Sequence, residues 1–468
     1  MNKFNWVAKA CGIIILWAAG AVALPAQTLT TLFSFDGTGG AQPYGGLVQA
    51  SNGEFYGTTQ YGGANHDGTV FKITPDGTLT TLYSFCSLFG CADGNLPRAG
   101  LIQGTDGDFY GTTQYGGAFD RGTVFKITQS GTLTTLHTFG STDGDGATPI
   151  GGLVQGIDGD FHGTTQSGGA YQDGTVFKIT PSGTLTILHS FDGPDGYWPE
   201  AGLVQAINGD FYGTTYYGGA NVCGGLGCGT VFRITPNGVL TTLHSFDQTD
   251  GAYPLAALAQ ATNGELYGTT EYGGAYAYYG TVFKMTPSGT LTTLHSFNQT
   301  DGSYPEAGLL QATNGDFYGT TVEGGTSSYC KAGYGCGTMF QITQSGTLTT
   351  IYNFCSLTGC TDGDYPFGGL TQDTNGMLYG TTSKGGSTSG GCPSGECGTV
   401  YSLSVGLKPS VETQPTSGAV GTAVNILGTN LTGATGVTFN GTLAVFTVVS
   451  KSLITTTVPA EPPLAQFR

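Results

Sequence analysis

Two sets of side chains in this chain are of types and spacings that could do chemistry. Trp198, Tyr253, Tyr304 and Tyr365 each stand immediately before a proline in corresponding segments, and Tyr217 and Tyr272 stand in neighbouring loops. Exposed planar rings beside acids and amides combine apolar area with a few polar handles, which is what sugar or peptide recognition uses. Packing against a neighbouring element as part of a repeated core is the other reading of the same rings. Glu200, Glu271, Glu306 and Glu323 lie close to these aromatics in sequence. Paired carboxylates could do glycosidase or lyase work without a histidine.

A third set is acidic. Asp-Gly-x-x-Pro recurs at Asp93–Pro97, Asp145–Pro149, Asp195–Pro199, Asp250–Pro254, Asp301–Pro305 and Asp362–Pro366, with Gly39 in the Asp place of the first copy. A ring of carboxylates could bind Ca²⁺, with Asp143/Asp145 and Asp362/Asp364 the best candidates, but Ca²⁺ needs six to eight oxygens at one spot. One Asp per copy suits a turn better, with Asp bonding its own backbone, Gly supplying positive φ and Pro fixing the chain beyond it. No metal and no cofactor is therefore expected, with Ca²⁺ the weak alternative.

Histidine gives no catalytic constellation. His137, His189, His244 and His295 fill one repeat position that other copies fill with Phe33, Tyr83 and Tyr352, and His162 replaces a repeat tyrosine. An aromatic slot accounts for them. A nucleophile with its base and acid should break the repeat at one place; none is assigned.

The elements that carry these residues are repeats. Tyr-Gly-Thr-Thr begins at Tyr56, Tyr110, Tyr212, Tyr267, Tyr318 and Tyr379, with His162 heading the third copy, at intervals of about 50 to 60 residues, a period that signals an array or a propeller. In the first copy four extended pieces, Gly46–Ala50, Glu54–Thr59, Gly68–Thr74 and Thr78–Phe85, are divided by Asn-Gly, Gly-Gly and Pro-Asp-Gly turn signals; they are strands A to D of the repeat. The array opens at Leu29–Phe35 with a D strand and closes at Gly368–Leu403 with an A, B and C. Pairing of the two ends would complete a seventh sheet and leave no edge open. The expected fold is an all-β seven-bladed β-propeller over residues 27–406. Its A–B and C–D turns would share one face, and the longer, variable B–C and D–A loops the other, where function is expected. Glu54, Asp108, Asp160, Asp210 and Glu265 should meet Lys72, Lys126, Lys178, Arg233 and Lys284 across strands B and C as structural ion pairs.

Residues 1–26 carry Lys3 and Lys9, the apolar run Cys11–Leu24 and small residues at Ala21, Ala23 and Ala26, the pattern of a secretory signal. Its loss takes the formal charge from −17 to −19 and leaves Trp198 as the one tryptophan. Such an acidic chain without basic clusters is a poor partner for nucleic acid or anionic membranes, and no later run is long enough to span a bilayer. The remaining cysteines form five local pairs, Cys86/Cys91, Cys223/Cys228, Cys330/Cys336, Cys355/Cys360 and Cys392/Cys397, expected as disulfides of an oxidising compartment rather than zinc ligands.

After Leu407 the texture changes. Gln414–Gly418, Val424–Thr429, Val437–Asn440 and Phe446–Pro459 read as short strands of a β-sandwich over residues 407–468. Gly428-Thr429-Asn430-Leu431, Gly436–Gly441 and Thr455–Pro459 resemble an IPT/TIG immunoglobulin-like domain, one that ends early, since Glu461–Arg468 stands where such domains place a further strand. Residues 28–405 resemble the GloVer tandem-repeat family of secreted bacterial proteins through Gly68–Gly77, Leu79–Phe85 and the Tyr-Gly-Thr-Thr and Gly-Gly elements. That resemblance implies export and repetition and brings no catalytic residues. The reading is a monomeric, extracellular binding module for carbohydrate or protein, with a polysaccharide-acting enzyme as the alternative.

Overall fold

The computed structural model describes residues 27–142, 144–330, 335–386, 397–414, 420–439 and 442–460. Residues 1–26, expected as a secretory signal, Asp143, Cys392 and Glu461–Arg468 lie outside them. The fold is all-β, with no α-helix among the described residues and no helix long and apolar enough to cross a membrane.

Seven four-stranded antiparallel sheets carry the repeat. The first comprises Val48–Gln49, Phe55–Thr59, Thr69–Ile73 and Leu79–Ser84, paired in chain order. The seventh joins Thr371–Gln372, Met377–Thr382 and Thr399–Ser404 to β1, Leu29–Ser34. In that pairing Leu29 faces Leu403 and Ser34 faces Thr399, so the two ends of the array share one sheet. Strand A is only two residues long in every sheet, shorter than its apolar pattern suggested, because the chain beyond each proline bonds to the adjacent sheet instead.

The repeated motif is explained by where its four side chains go. Tyr56 is fully buried and stacks on Phe109 of the next sheet, with ring centroids 3.9 Å apart. Gly57 leaves room for Phe71 and Leu47; a Cβ there would lie 2.8 Å from the Phe71 ring. The Thr58 hydroxyl donates to the Ala99 carbonyl of the next sheet at 2.7 Å. Thr59 pairs with Thr69 across strands B and C at 2.8 Å. The inter-sheet threonine bond recurs from Thr112 to Gly151, Thr164 to Ala201, Thr214 to Ala256, Thr269 to Ala307 and Thr320 to Pro366, and Thr381 returns to Gly45 of the first sheet. The apolar core is divided the same way: each cluster lies between consecutive sheets, and one unites Tyr379 and Val400 with Phe55 and Phe71. The arrangement is propeller-like, and its first and last sheets are neighbours.

The expected cross-strand charges meet: Lys72–Glu54 at 3.0 Å, Lys126–Asp108 at 2.8 Å, Lys178–Asp160 at 3.0 Å, Arg233–Asp210 at 3.7 Å and Lys284–Glu265 at 3.2 Å. Four cysteine pairs, Cys86–Cys91, Cys223–Cys228, Cys330–Cys336 and Cys355–Cys360, are disulfides; the fifth involves Cys392, outside the described residues.

Beyond the ring, Glu412–Gln414, Ala423–Leu427, Leu453–Thr457 and Phe446–Val448 form a second kind of four-stranded sheet, beside the hairpin Val437–Phe439/Thr442–Ala444. The expected single strand Phe446–Pro459 is two, since Ser450 and Ser452 close a turn inside it. Thr429 donates to Asn375 at 2.8 Å, seating this unit on the A–B turn of the seventh sheet.

Without β1, the Thr399–Ser404 edge is unpaired and the cluster around Phe71, Tyr379 and Val400 loses the Phe33 and Phe35 rings. Deleting residues 29–35 should therefore give aggregation by light scattering or a cooperative unfolding transition weakened by several kcal/mol, of order a lost sheet quarter. A monomeric deletion of unchanged stability would refute ring closure through this strand.

Candidate functional site

The loop face is built on one backbone device used seven times. The residue before each proline, Gln42, Leu96, Thr148, Trp198, Tyr253, Tyr304 and Tyr365, has φ between 54° and 58°. Left-handed backbone is uncommon outside glycine, and more so for bulky or β-branched residues; it costs of order 1 kcal/mol or more and persists where surroundings over-determine it. Here they do. Trp198 donates its N–H to Asp173 of the preceding sheet at 3.0 Å and accepts from Tyr216 of its own sheet at 2.9 Å. The same two bonds hold Tyr253 (Cys228, Glu271), Tyr304 (Tyr279, Val322) and Tyr365 (Cys336, Ser383). Each clamped residue therefore projects from a fixed joint between two sheets.

In four of these positions the clamp presents an aromatic ring, each half-buried rather than sealed in the core. Trp198 lies 5.5 Å from Tyr217, Tyr217 lies 5.3 Å from Tyr253, Tyr253 lies 5.7 Å from Tyr272, and Tyr272 lies 5.1 Å from Tyr304, centroid to centroid. Tyr197 and Tyr216, not singled out by sequence, join this wall at 5.0 Å from Trp198 and 5.2 Å from Tyr253. Tyr365 is held differently, under the Lys384 ammonium at 4.1 Å.

Two residues further on, just past each proline, the chain reaches the ring axis. Tyr44, Arg98, Ile150, Glu200, Leu255, Glu306 and Phe367, one from each repeat at the same repeat position, line a single cavity of about 100 Å³. Seven equivalent positions can share a cavity only around the axis relating them. Glu200 accepts from Gln166 Nε2 at 2.7 Å. Glu271, at the end of the neighbouring strand B, accepts from the Tyr216 hydroxyl at 2.8 Å. Arg98 lies over the Tyr44 ring at 5.4 Å, and Tyr44 contacts Phe367 at 4.6 Å. Burial pushes the Glu306 carboxyl up to about 8, with the Glu271 charge adding and Arg98 opposing. Burial likewise raises Glu271 to about 6, against the Tyr216 hydrogen bond, and raises Glu200 and Glu323.

Two sequence expectations need correction. The repeat is broken at one place after all, in the column past the proline, where Arg98, Glu200 and Glu306 stand among apolar residues; aligning the copies on that column was the signal available. The aromatic slot of strand D is also more than an aromatic slot. Tyr83 and Tyr352 donate to Asp93 and Asp362 at 2.7 Å, and His137, His189, His244 and His295 pair with Asp145, Asp195, Asp250 and Asp301 at 3.2, 2.7, 2.7 and 2.9 Å. Phe33, which has no donor, is the copy in which Gly39 replaces the acid. These carboxylates also accept local backbone N–H groups: Asp93 takes Ser87 and Leu88, and its pKa is lowered, burial being outweighed by the Tyr83 and Ser87 bonds. They serve the D–A turns. Asp143 lies outside the described residues.

A larger cavity of about 870 Å³ lies between the first and seventh sheets, lined in part by Ala41, Tyr61, His66, Thr81 and Cys397. Asp36 also lines it, and none of the axial glutamates does.

Glu306 links the axial cavity to pH. An ordinary glutamate ionises near 4.5, whereas folded Glu306 keeps its proton to about 8. Between those values the folded state binds more protons than the unfolded, so this group's contribution to stability falls as pH rises. Glu306→Gln should match the parent near pH 4 and become more stable by about 1–3 kcal/mol at pH 8, measured as the difference between two urea unfolding series. A difference that does not change with pH would show the carboxyl to be unperturbed.

The comparisons bear on fold and family. The extracellular domain assigned to a hybrid two-component system of B. thetaiotaomicron is 13% identical, matching 89% of this chain and 46% of its own, with a TM-score of 0.50; this chain spans about half its length. The extracellular domain assigned to a one-component system of the same organism is 11% identical over 80% of this chain and 40% of its own (TM-score 0.49). A gluconolactonase from Xanthomonas campestris is 14% identical over 83% of this chain and 92% of its own (TM-score 0.41). At such identities the likeness is one of fold alone. No curated protein matches the sequence. The Gloeobacter/Verrucomicrobia repeat matches residues 21–227 and 224–444, and the chain belongs to that repeat family.

Proposed function

We propose that this chain is an exported seven-bladed β-propeller that binds carbohydrate on its loop face, with the C-terminal residues 407–468 as an immunoglobulin-like spacer or second contact module. The observation that carries the reading is the clamped aromatic wall: Trp198, Tyr253 and Tyr304 stand on strained, doubly hydrogen-bonded joints and run continuously through Tyr217 and Tyr272 beside the axial carboxylates. The strain is common to all seven joints, and in the fourth to seventh repeats it fixes the direction of a ring. Half-buried rings next to Glu200, Glu271 and Gln166 offer stacking faces and hydroxyl partners together, the combination a sugar ring requires. A cavity of about 100 Å³ suits one small ring or side chain rather than a folded partner's surface. Disulfides in the same loops favour an extracellular location.

One observation favours a second reading, a polysaccharide-acting hydrolase or lyase. Glu306 retains its proton near neutral pH while Glu271 titrates lower, the split that separates a general acid from a base. The aromatic wall extends over several repeats beyond these two carboxylates, and binding is the reading taken here.

A polysaccharide panel, scored for retention and for release of reducing ends, separates the two. Binding predicts retention without release and a loss of about 1–3 kcal/mol in affinity for Trp198→Ala at nearly unchanged thermal stability. With the leader removed, Trp198 emission should be red-shifted, quenched by acrylamide and protected by ligand. Reducing-end release that disappears in Glu306→Gln would establish the enzyme instead, and blue-shifted, unquenchable emission would return the wall to the core.

A further inference from the structure

We propose that the axial cavity receives the protonated amine of an amino sugar, held by Glu200 and Glu306 while Arg98 takes a hydroxyl of the same ring. The inference rests on the carbohydrate reading above and names the sugar class.

The first ground is charge left uncompensated around a cavity. Among the described residues, Glu200, Glu271, Glu306 and Glu323 make no ion pair within 4.0 Å. Arg98 lines the same cavity yet lies over Tyr44 instead. Two carboxylates, Glu200 and Glu306, thus line the cavity from the fourth and sixth repeats with the Arg98 guanidinium of the second, and the Glu271 and Glu323 charges act on Glu306 from nearby. Half-buried carboxylates without a counter-ion are unfavourable, and the entry of a cation relieves both their desolvation and their mutual repulsion. The upward displacement of Glu306 and Glu271 is the signature of that repulsion and burial.

The second ground decides what kind of cation. Ca²⁺ gathers six to eight oxygens at 2.3–2.6 Å, and none of the groups of three potential ligand atoms lying within 4.8 Å of one another includes these glutamates. An ammonium needs fewer acceptors and directs its three donors outward, so carboxylates on separate sheets can reach it.

The third ground is the rest of the wall. Tyr44 and Phe367, tilted at 4.6 Å, give the cavity an aromatic side, which suits the C–H face of a sugar ring. Arg98 has only donors to offer and so requires an acceptor oxygen, which a hydroxyl beside the amine supplies. A simple alkylamine would leave that guanidinium unused. The aromatic wall of Trp198, Tyr217, Tyr253 and Tyr272 then lies where further sugar units of the same chain would extend.

The test uses the purified chain, lacking only its leader, and three tetrasaccharides in calorimetric titrations: glucosamine, N-acetylglucosamine and neutral glucose oligomers. Glucosamine should bind at least tenfold more tightly than the other two, and the advantage should shrink in 0.5 M salt, where the Debye length is about 4 Å against about 30 Å in 10 mM buffer. Glu200→Gln and Glu306→Gln, each with its melting temperature checked, should lose most of that advantage, read in each variant as the ratio of glucosamine-oligomer to glucose-oligomer affinity. Equal binding of all three overturns the amine inference and leaves the carbohydrate reading standing. No binding of any overturns both. An amine preference undiminished in both variants places the amine elsewhere and overturns the axial site. Saturable CaCl₂ binding that Glu306→Gln abolishes would make the cavity a metal site, which also overturns the proposal.

Discussion

The structure depends on a hydrogen bond that no single sheet can make: the first threonine of each Tyr-Gly-Thr-Thr donates to a carbonyl of the next sheet. A hydroxyl buried at an interface is worth little when bonded and costs about 1–3 kcal/mol when orphaned. Each sheet is therefore poorly satisfied alone and satisfied only with its successor in place. Carried around seven copies, that requirement ends with Thr381 bonding Gly45, and the array has to close. Stacked rings such as Tyr56 on Phe109 and Tyr379 on Phe55 bury the apolar area that makes the closure favourable.

Closure has a consequence for the loop face. Each residue before a proline bonds to two sheets, so its left-handed backbone is held by the relation between sheets and not by its own loop. The variable loops can change length, as the disulfide-bearing ones do, without moving the joint. Precision at the face thus comes from the ring, and the side chain at the joint is free to differ: Gln42, Leu96 and Thr148 on one side, Trp198, Tyr253, Tyr304 and Tyr365 on the other.

Much of the frame was legible in the sequence because it repeats. Period, the limits of strands B, C and D, the cross-strand charge pairs and the local cysteine pairs each follow from residues that recur at fixed offsets. The parts that were missed depend on which side chains make contact and not on composition. That His189 and Tyr83 are equivalent as donors, and not merely as rings, becomes visible only when Asp195 and Asp93 are seen accepting from them. Arg98, Glu200 and Glu306 are separated by about a hundred residues each and meet because seven short segments point at one axis; the two glutamates stood out as loop carboxylates, but Arg98 did not. Strand A was overread because an apolar run that feeds a neighbouring sheet has the same composition as one that pairs within its own.

Repetition also makes each copy a control for the others. At the positions of Tyr56, Gly57, Thr58 and Thr59 the copies are nearly uniform, so those positions are constrained by the frame that all sheets share. At the joint, past the proline and at the end of strand B the copies diverge, and they do not diverge at random: the glutamates fall in the fourth, fifth and sixth repeats and the joint rings in the fourth to seventh, while the second supplies Arg98. A purely structural requirement would act on every repeat alike, since the sheets are geometrically equivalent. A ligand smaller than the ring touches only adjacent repeats and whatever lies across the axis from them. A contiguous arc of three, opposed by one cation, is the pattern such a ligand imposes.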